Sequence, residues 1–319
     1  MRITLATLGL LGLVASQTSV MAAEPWQEAV AAGLGKPGTE MPGGVYRVGL
    51  PRTDLKVTLD GVELKPSFAL GSWLAFMRHG GGNDVMVMGD LVLTDDEVNP
   101  VMRRLVEGGV EITALHNHLL RNTPHTMYMH VAGHGDPTKL AVTLREALGQ
   151  SRTPLAQARA GAATQDSAAP AAAGEGSTPA RATAPDSSLG IDTAAIDRAI
   201  GRKGKVNGGV YAMSVPRAET PREAGMEVPE AMGSAIAINF QPTGGGKAAI
   251  TGDFVLTAEE VNPVLRELRA SGIEVTAIHN HMLADEPRLF FMHFWANDDA
   301  AKLARGLRAA LDQCRVAKS

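Results

Sequence analysis

"TALHNHLL" (Thr113–Leu120) and "TAIHNHML" (Thr276–Leu283) are one octet written twice, each ending an apolar run with two histidines around an asparagine. The surrounding sequence repeats as well. "MGDLVLTDDEVNPVMRRL" (Met88–Leu105) answers "TGDFVLTAEEVNPVLREL" (Thr251–Leu268), and "MYMHV" (Met127–Val131) answers "FFMHF" (Phe290–Phe294). "KLAVTLREAL" (Lys139–Leu148) pairs with "KLARGLRAAL" (Lys302–Leu311). Setting residue 66 onward against residue 229 onward, the halves run at a constant offset without a gap. Upstream, "GGVYRVGLPR" (Gly43–Arg52) matches "GGVYAMSVPR" (Gly208–Arg217) after a small indel. A repeat this long is a duplicated domain.

Between the copies, Ser151–Gly190 is built of Ala, Pro, Ser, Thr and Gly with almost no large apolar residue. Such a segment buries too little surface to offset the entropy of ordering, and reads as a disordered tether. The start, "MRITLATLGLLGLVASQTSVMAA", has the charge, short apolar stretch and small-residue cleavage site of a secretory signal. Its apolar run is shorter than the roughly 20 residues that span a bilayer. The expected organisation is therefore a signal peptide at 1–23, repeat domain 1 at 24–150, a linker at 151–190 and repeat domain 2 at 191–319. The expected location is extracytoplasmic, periplasmic or secreted, with no transmembrane segment in the mature chain.

The 319 residues are 45% hydrophobic but only 4% aromatic, so the core must be mainly Val, Leu, Ile, Met and Ala. The net charge of −4 is spread without a basic stripe, which argues against a nucleic-acid partner. Cys314 is the only cysteine, so an internal disulfide and a thiolate-rich metal cage are both excluded.

Within one copy the pattern predicts a helix at Trp26–Leu34 and strands at Gly44–Leu50, Phe68–Met77 and Asp84–Leu93. "TDDE" (Thr94–Glu97) and "TAEE" (Thr257–Glu260) have the form of capping boxes. Pro100 and Pro263 then either kink the helix or mark its first position, with Asn99 and Asn262 as caps. A strand at Val110–His118, a second at Thr126–Ala132 and a helix at Pro137–Leu148 complete the unit, Asp136 capping the last. The glycine triplets in "RHGGGND" and "PTGGGK" suit hairpin turns, since neither opens a phosphate-binding helix. The expected fold is α+β: two homologous lobes, each a mainly antiparallel sheet with two to three helices, paired about a pseudo-two-fold axis like a homodimer fused into one chain.

Strand alternation places Ile112, Ala114, His116 and His118 on one face, and Val275, Ala277, His279 and His281 likewise. If the next strand is a hairpin neighbour, His130 or His293 joins each pair. Three neutral imidazoles per copy form a site for zinc or another first-row transition metal ion. His134, in phase with His130, adds a fourth in the first copy, where the second has Asn297. Asp90, Asn117, Asp136, Asp253 and Asn280 are candidates to orient the rings or touch a ligand. Histidines on a half-buried face also occur as hydrogen-bonded core residues, and that reading stays open. The string "HNH" is not the dispersed nuclease motif, and no G-x-S-x-G nucleophile elbow is present.

"EVNPV", the histidine octet, the proline after it, "MH" and the closing "KLA…LR" resemble the LppY/LpqO family of bacterial envelope proteins, defined by a domain of unknown function often present twice. The resemblance implies an exported bacterial protein and brings no reaction or ligand. Some members are lipoproteins; this chain lacks the lipid-accepting cysteine. Two function classes remain. One is a metal-binding protein, with a metal-dependent hydrolase as its enzymatic form. The other is a non-catalytic module for a small molecule or envelope component, with the histidines as pocket or core residues.

Overall fold

A computed structural model describes residues 23–80, 82–155 and 189–318. The expected signal peptide up to residue 22 and residues 156–188 of the expected linker lie outside the described residues. Among these residues no helix is long and apolar enough to cross a membrane.

The first lobe opens with helix α1 (Pro25–Leu34), followed by strands β1 (Thr39–Met41) and β2 (Val45–Pro51). A small hairpin, β3 (Thr58–Leu59) and β4 (Val62–Glu63), leads to the short helix α2 (Pro66–Ala69). Then come β5 (Gly71–Arg78), β6 (Val85–Thr94), α3 (Asp95–Glu107), β7 (Glu111–His116), β8 (Thr126–Gly135) and α4 (Pro137–Leu148). The second lobe repeats the plan with α5 (Thr193–Ile200), β9 (Lys205–Asn207), β10 (Val210–Val215), and the hairpin β11 (Arg222–Glu223) and β12 (Met226–Glu227). It continues through β13 (Ile236–Gly244), β14 (Lys247–Thr257), α6 (Ala258–Ala270) and β15 (Glu274–His279). The short β16 (Asp285–Glu286), β17 (Leu289–Asp299) and α7 (Ala300–Leu311) complete it. The six-stranded antiparallel sheets have the matching orders β1-β2-β5-β6-β8-β7 and β9-β10-β13-β14-β17-β15.

Alternation sorts each central strand into two faces. In β6, Val85, Val87, Leu91 and Leu93 pack with Val30 of α1, Val101 and Leu105 of α3, and Leu140 and Leu144 of α4. The opposite face carries Met86, Met88, Asp90 and Val92. Met86 and Met88 join the second lobe's core, while Val92 and Tyr128 cluster with Ala249 and Trp295. The molecule is thus layered helix, sheet, sheet, helix, with the two sheets' inner faces against each other. Side-chain amides fix their relation reciprocally: Asn117 Nδ2 donates to the Thr276 carbonyl at 3.1 Å, and Asn280 Nδ2 to the Thr113 carbonyl at 3.0 Å. A bond and its mirror between equivalent residues is what two-fold pairing requires.

The capping boxes form at Thr94/Glu97 and Thr257/Glu260, and both helices run on through Pro100 and Pro263. Asn99 and Asn262 are therefore interior residues, because the box has already satisfied the helix start one turn earlier. Glu97 has a second task. Arg52, whose side chain is fully buried, reaches it at 2.7 Å and also donates to the Val92 carbonyl. Burial alone would raise the Glu97 carboxyl, but the Arg52 hydrogen bond, with backbone N–H donors from Thr94 and Arg152, holds it below the usual range. Arg217, Glu260 and Val255 repeat the arrangement in the second lobe.

Two readings are corrected by strand register. Beta-bulges fall between Ile112 and Ala114, and between Val275 and Ala277. Ile112 consequently packs against the helix-side core, and only Ala114 and His116 share the inner face, opposite His130 and Tyr128. The sequences keep their constant offset here but the strand pairing does not follow it: Trp73 faces Asp90 across β5–β6, but Ala237, not Ile236, faces Asp253 across β13–β14. Both hairpins have the same number of residues, but a register shift between Pro242 and Gly244 leaves β13 one position out of step with β5.

Candidate metal centre

β7 and β15 are the edge strands that deliver the octets. In the first sheet, Ala114 is opposite His130 and His116 opposite Tyr128; in the second, Ala277 is opposite His293 and His279 opposite Phe291. His118 and His281 follow just past the strand ends. Three imidazoles meet in each lobe, and because the inner faces are apposed, the two triads merge into one cluster of six. His116 and His279 stack at 3.4 Å between ring centroids. His118 stacks on His293 of the other lobe at 3.7 Å, and His130 on His281 at the same 3.7 Å. Tyr128 covers His118 and Phe291 covers His281, each at 3.4 Å. These equal pairs place the pseudo-two-fold axis beside the His116–His279 stack.

Two carboxyl groups border the cluster. Asp90 lies 3.7 Å from His118 Nε2 and 3.9 Å from His130 Nε2. Asp253 lies 3.4 Å from His281 Nε2 and 3.8 Å from His293 Nδ1. Ligand atoms of His116, His130, His279 and His281 all fall within 4.8 Å of one another, and so do those of His116, His118 and His293. The groups Asp90–His118–His130 and Asp253–His281–His293 meet the same limit. His293 Nδ1 is 2.9 Å from the Gly252 carbonyl and His116 Nδ1 3.2 Å from that of Asn117. A donated Nδ1–H there fixes the tautomer and leaves the Nε2 lone pair for a ligand.

Burial dominates the electrostatics. It depresses His116 to about 4 and His293 to about 3, and pushes His118, His130, His279 and His281 well down, with neighbouring imidazoles adding to the effect. Burial raises Asp90 to about 8 against the pull of Arg47, and raises Asp253 well above the carboxylate range, Asp90 adding to it. At neutral pH these rings are uncharged lone-pair donors. Seven buried atoms here have no hydrogen-bond partner among the described residues: Asp90 Oδ1, Asp253 Oδ1, Nε2 of His116, His118, His130 and His293, and His279 Nδ1.

Other expected site residues go elsewhere. His134 is exposed at the end of β8, 6.1 Å from the His79 ring, and does not join the cluster. Four residues beyond His130, it lies roughly 13 Å along the strand. Asp136 caps α4, accepting from the Lys139 N–H at 2.8 Å. The Asn117 and Asn280 amides tie the lobes together. A cavity of about 160 Å³ opens beside the cluster, bounded by His118, His130, His281 and His293, with Arg47 and Trp73 on its walls. Reading the repeat alone did not single out Arg47, although "VYRVG" against "VYAMS" showed the copies differing there.

Known proteins add little about chemistry. No curated protein matches the chain. Among solved structures, a trimeric bacterial microcompartment shell protein, PduB, is 11% identical over 87% of this chain and 90% of its own, with a TM-score of 0.23. EtuB from Clostridium kluyveri is 10% identical over 86% and 90%, with a TM-score of 0.19. Scores this low carry no argument about fold or function. A family model, described as a domain of unknown function (DUF1259), matches residues 28–150 and again 194–313. With most of both lobes matched and the same histidine pattern in each, the chain belongs to this DUF1259 family and carries its domain in two copies.

Proposed function

We propose that the chain holds one or two first-row transition metal ions, with zinc the natural fit, in a centre shared by its two lobes. The observation that carries this reading is the convergence of seven unpartnered buried nitrogen and oxygen atoms from five histidines and two aspartates. Leaving a buried polar atom unsatisfied costs about 1–3 kcal/mol. Seven of them together rival a domain's whole margin of about 5–15 kcal/mol. A cation satisfies several at once. Tetrahedral zinc, with bonds of about 2.0–2.1 Å, sets its nitrogens roughly 3.4 Å apart. Small side-chain movements bring a group spanning up to 4.8 Å to that spacing. The neutral rings need lose no proton to bind.

Such an ion supplies Lewis acidity and a bound water of lowered pKa. Asp90 and Asp253 border the imidazoles on both sides, where they orient a ring, take a ligand position or accept a proton. With a cavity alongside, hydrolysis of a small substrate is the reaction class the arrangement suits best. The extracytoplasmic location rests on the N-terminal sequence alone.

Elemental analysis of the untagged, full-length protein, before and after reconstitution with zinc, tests the reading. The expected content is about one or two ions per chain. His116→Ala removes a donor from both cross-lobe groups and should abolish most of it. A protein that takes up no transition metal, or a variant that keeps its full complement, sinks the shared centre.

A further inference from the structure

We propose that the cavity beside the histidines binds a small organic carboxylate, gripped by Arg47 and laid against Trp73. Arg47 is only 9% exposed, deep on the inner face of β2. Its Nη1 donates to the Ala231 carbonyl at 2.6 Å, and its guanidinium carbon sits 4.0 Å over the Trp73 ring. Its Nε is buried without a partner among the described residues. A guanidinium offers five N–H donors in a planar fork, and a carboxylate is the group that fork accepts in a bidentate manner.

A structural arginine would have a dedicated carboxylate, as Arg52 has Glu97. Arg47 has none at bonding distance among the described residues. Asp90 acts on it only electrostatically, without a hydrogen bond or ion pair. Burial lowers Arg47 itself to about 10, so it remains a cation at neutral pH. Asp253 and half-buried Glu230 are the further acids on the wall. Arg47 and the histidines line one cavity, and Arg47 and a metal ion in the cluster would both favour an anion there.

The repeat supports recognition over scaffolding. Arg47 pairs with Ala75 across β2–β5, where the second lobe has Ala212 opposite Asn239. Trp73 occupies the register position of Ala237. The fold therefore forms with alanine at both places, and the arginine–tryptophan pair exists on one side only. A volume of about 160 Å³ is close to the roughly 150 Å³ of a cavity that admits benzene. The ligand is therefore of about that size, with its carboxylate on Arg47 and its other end towards the histidines. This deepens the metal-centre reading, and rests on it for the end that reaches the cluster.

The test is calorimetry and thermal unfolding of the full-length protein with a series from acetate to benzoate and phenylacetate, beside the neutral analogue benzamide. Zinc-loaded and chelator-treated protein are compared, and metal content is measured throughout. At least one carboxylate should bind and raise the melting temperature while benzamide does not. Arg47→Ala, which copies the second lobe, should weaken that carboxylate by about tenfold or more with metal content unchanged. Arg47→Lys keeps the charge without the fork and should fall between. A carboxylate that binds Arg47→Ala as tightly as the native protein overturns the proposal, and so does a series in which none binds. Binding through Arg47 in a protein that takes no metal upholds the anchor while the metal reading fails, so the two are separable.

Discussion

The two lobes carry the same donors and different walls. His116, His118, His130 and Asp90 recur as His279, His281, His293 and Asp253, and they meet across the axis in pairs of equal spacing. Beside them, Arg47 and Trp73 of the first lobe stand where the second has Ala212 and Ala237. The difference separates two demands on one site. In the proposed centre, donors shared by both halves must stay matched, because each half would complete the other's coordination. A wall that selects a ligand needs to be built only once, and an asymmetric wall fixes which way round the ligand lies.

The comparison is most sharply tested where the lobes agree most. Arg52→Ala and Arg217→Ala each remove the cation from a buried pair and strand a glutamate that caps a helix. Each is expected to cost about 3–5 kcal/mol, read from urea unfolding of the full-length chain. Core residues of both lobes pack together between the sheets, so each variant should shift a single cooperative transition. If only one of them destabilises, the lobes are not structural equivalents and the symmetry argument for a shared centre weakens.

How far this was legible in the sequence follows from what each signal encodes. Capping boxes and the α4 cap are local, and Thr94, Thr257 and Asp136 appear where spacing placed them. The pairing of His116 and His130 on one face was legible because β7 and β8 are hairpin neighbours with alternating faces. The bulge at Thr113 was not, since nothing in "EITALH" marks the extra residue. Nor was the merging of two triads into one cluster. That depends on how one sheet sits on the other, and Asn117 and Asn280 set it through bonds spanning 159 and 167 residues. Alternation in one copy cannot see the other copy. The Arg47–Ala212 mismatch was in plain view, but only the cavity gives it meaning.

A smaller effect should distinguish the lobes at the glycines preceding the aspartates. A Cβ on Gly252 would lie 1.9 Å from the Ala237 carbonyl oxygen. On Gly89 it would meet Leu74 Cδ2 at 2.6 Å and the Trp73 carbonyl oxygen at 2.8 Å. A leucine methyl can turn aside and a strand carbonyl cannot, so Gly252→Ala should cost more than Gly89→Ala. Overpacking of this kind costs about 1–3 kcal/mol, with Gly252→Ala at the upper end in thermal unfolding. The reverse order would show that the Ala237 carbonyl does not confine Gly252 more tightly than Leu74 and the Trp73 carbonyl confine Gly89.

The smallest expected effect falls on the one histidine that breaks the repeat. His134→Asn installs the residue found at Asn297, which accepts a hydrogen bond from Thr243 Oγ1 at 2.8 Å in its own lobe. His134 is exposed, and its nearest ring is that of His79, not one of the six. Stability should therefore stay within about 0.5 kcal/mol of the native protein, as for most surface changes, and metal content should not move. The value of so quiet a substitution lies in what a loud result would mean. A loss of metal on His134→Asn would place a donor well beyond the axis and on one lobe only, so the ion would sit off the symmetric cluster. The pairing of His118 with His293 and of His130 with His281 would then be a consequence of duplication, and the division between shared donors and a one-sided wall would have to be redrawn.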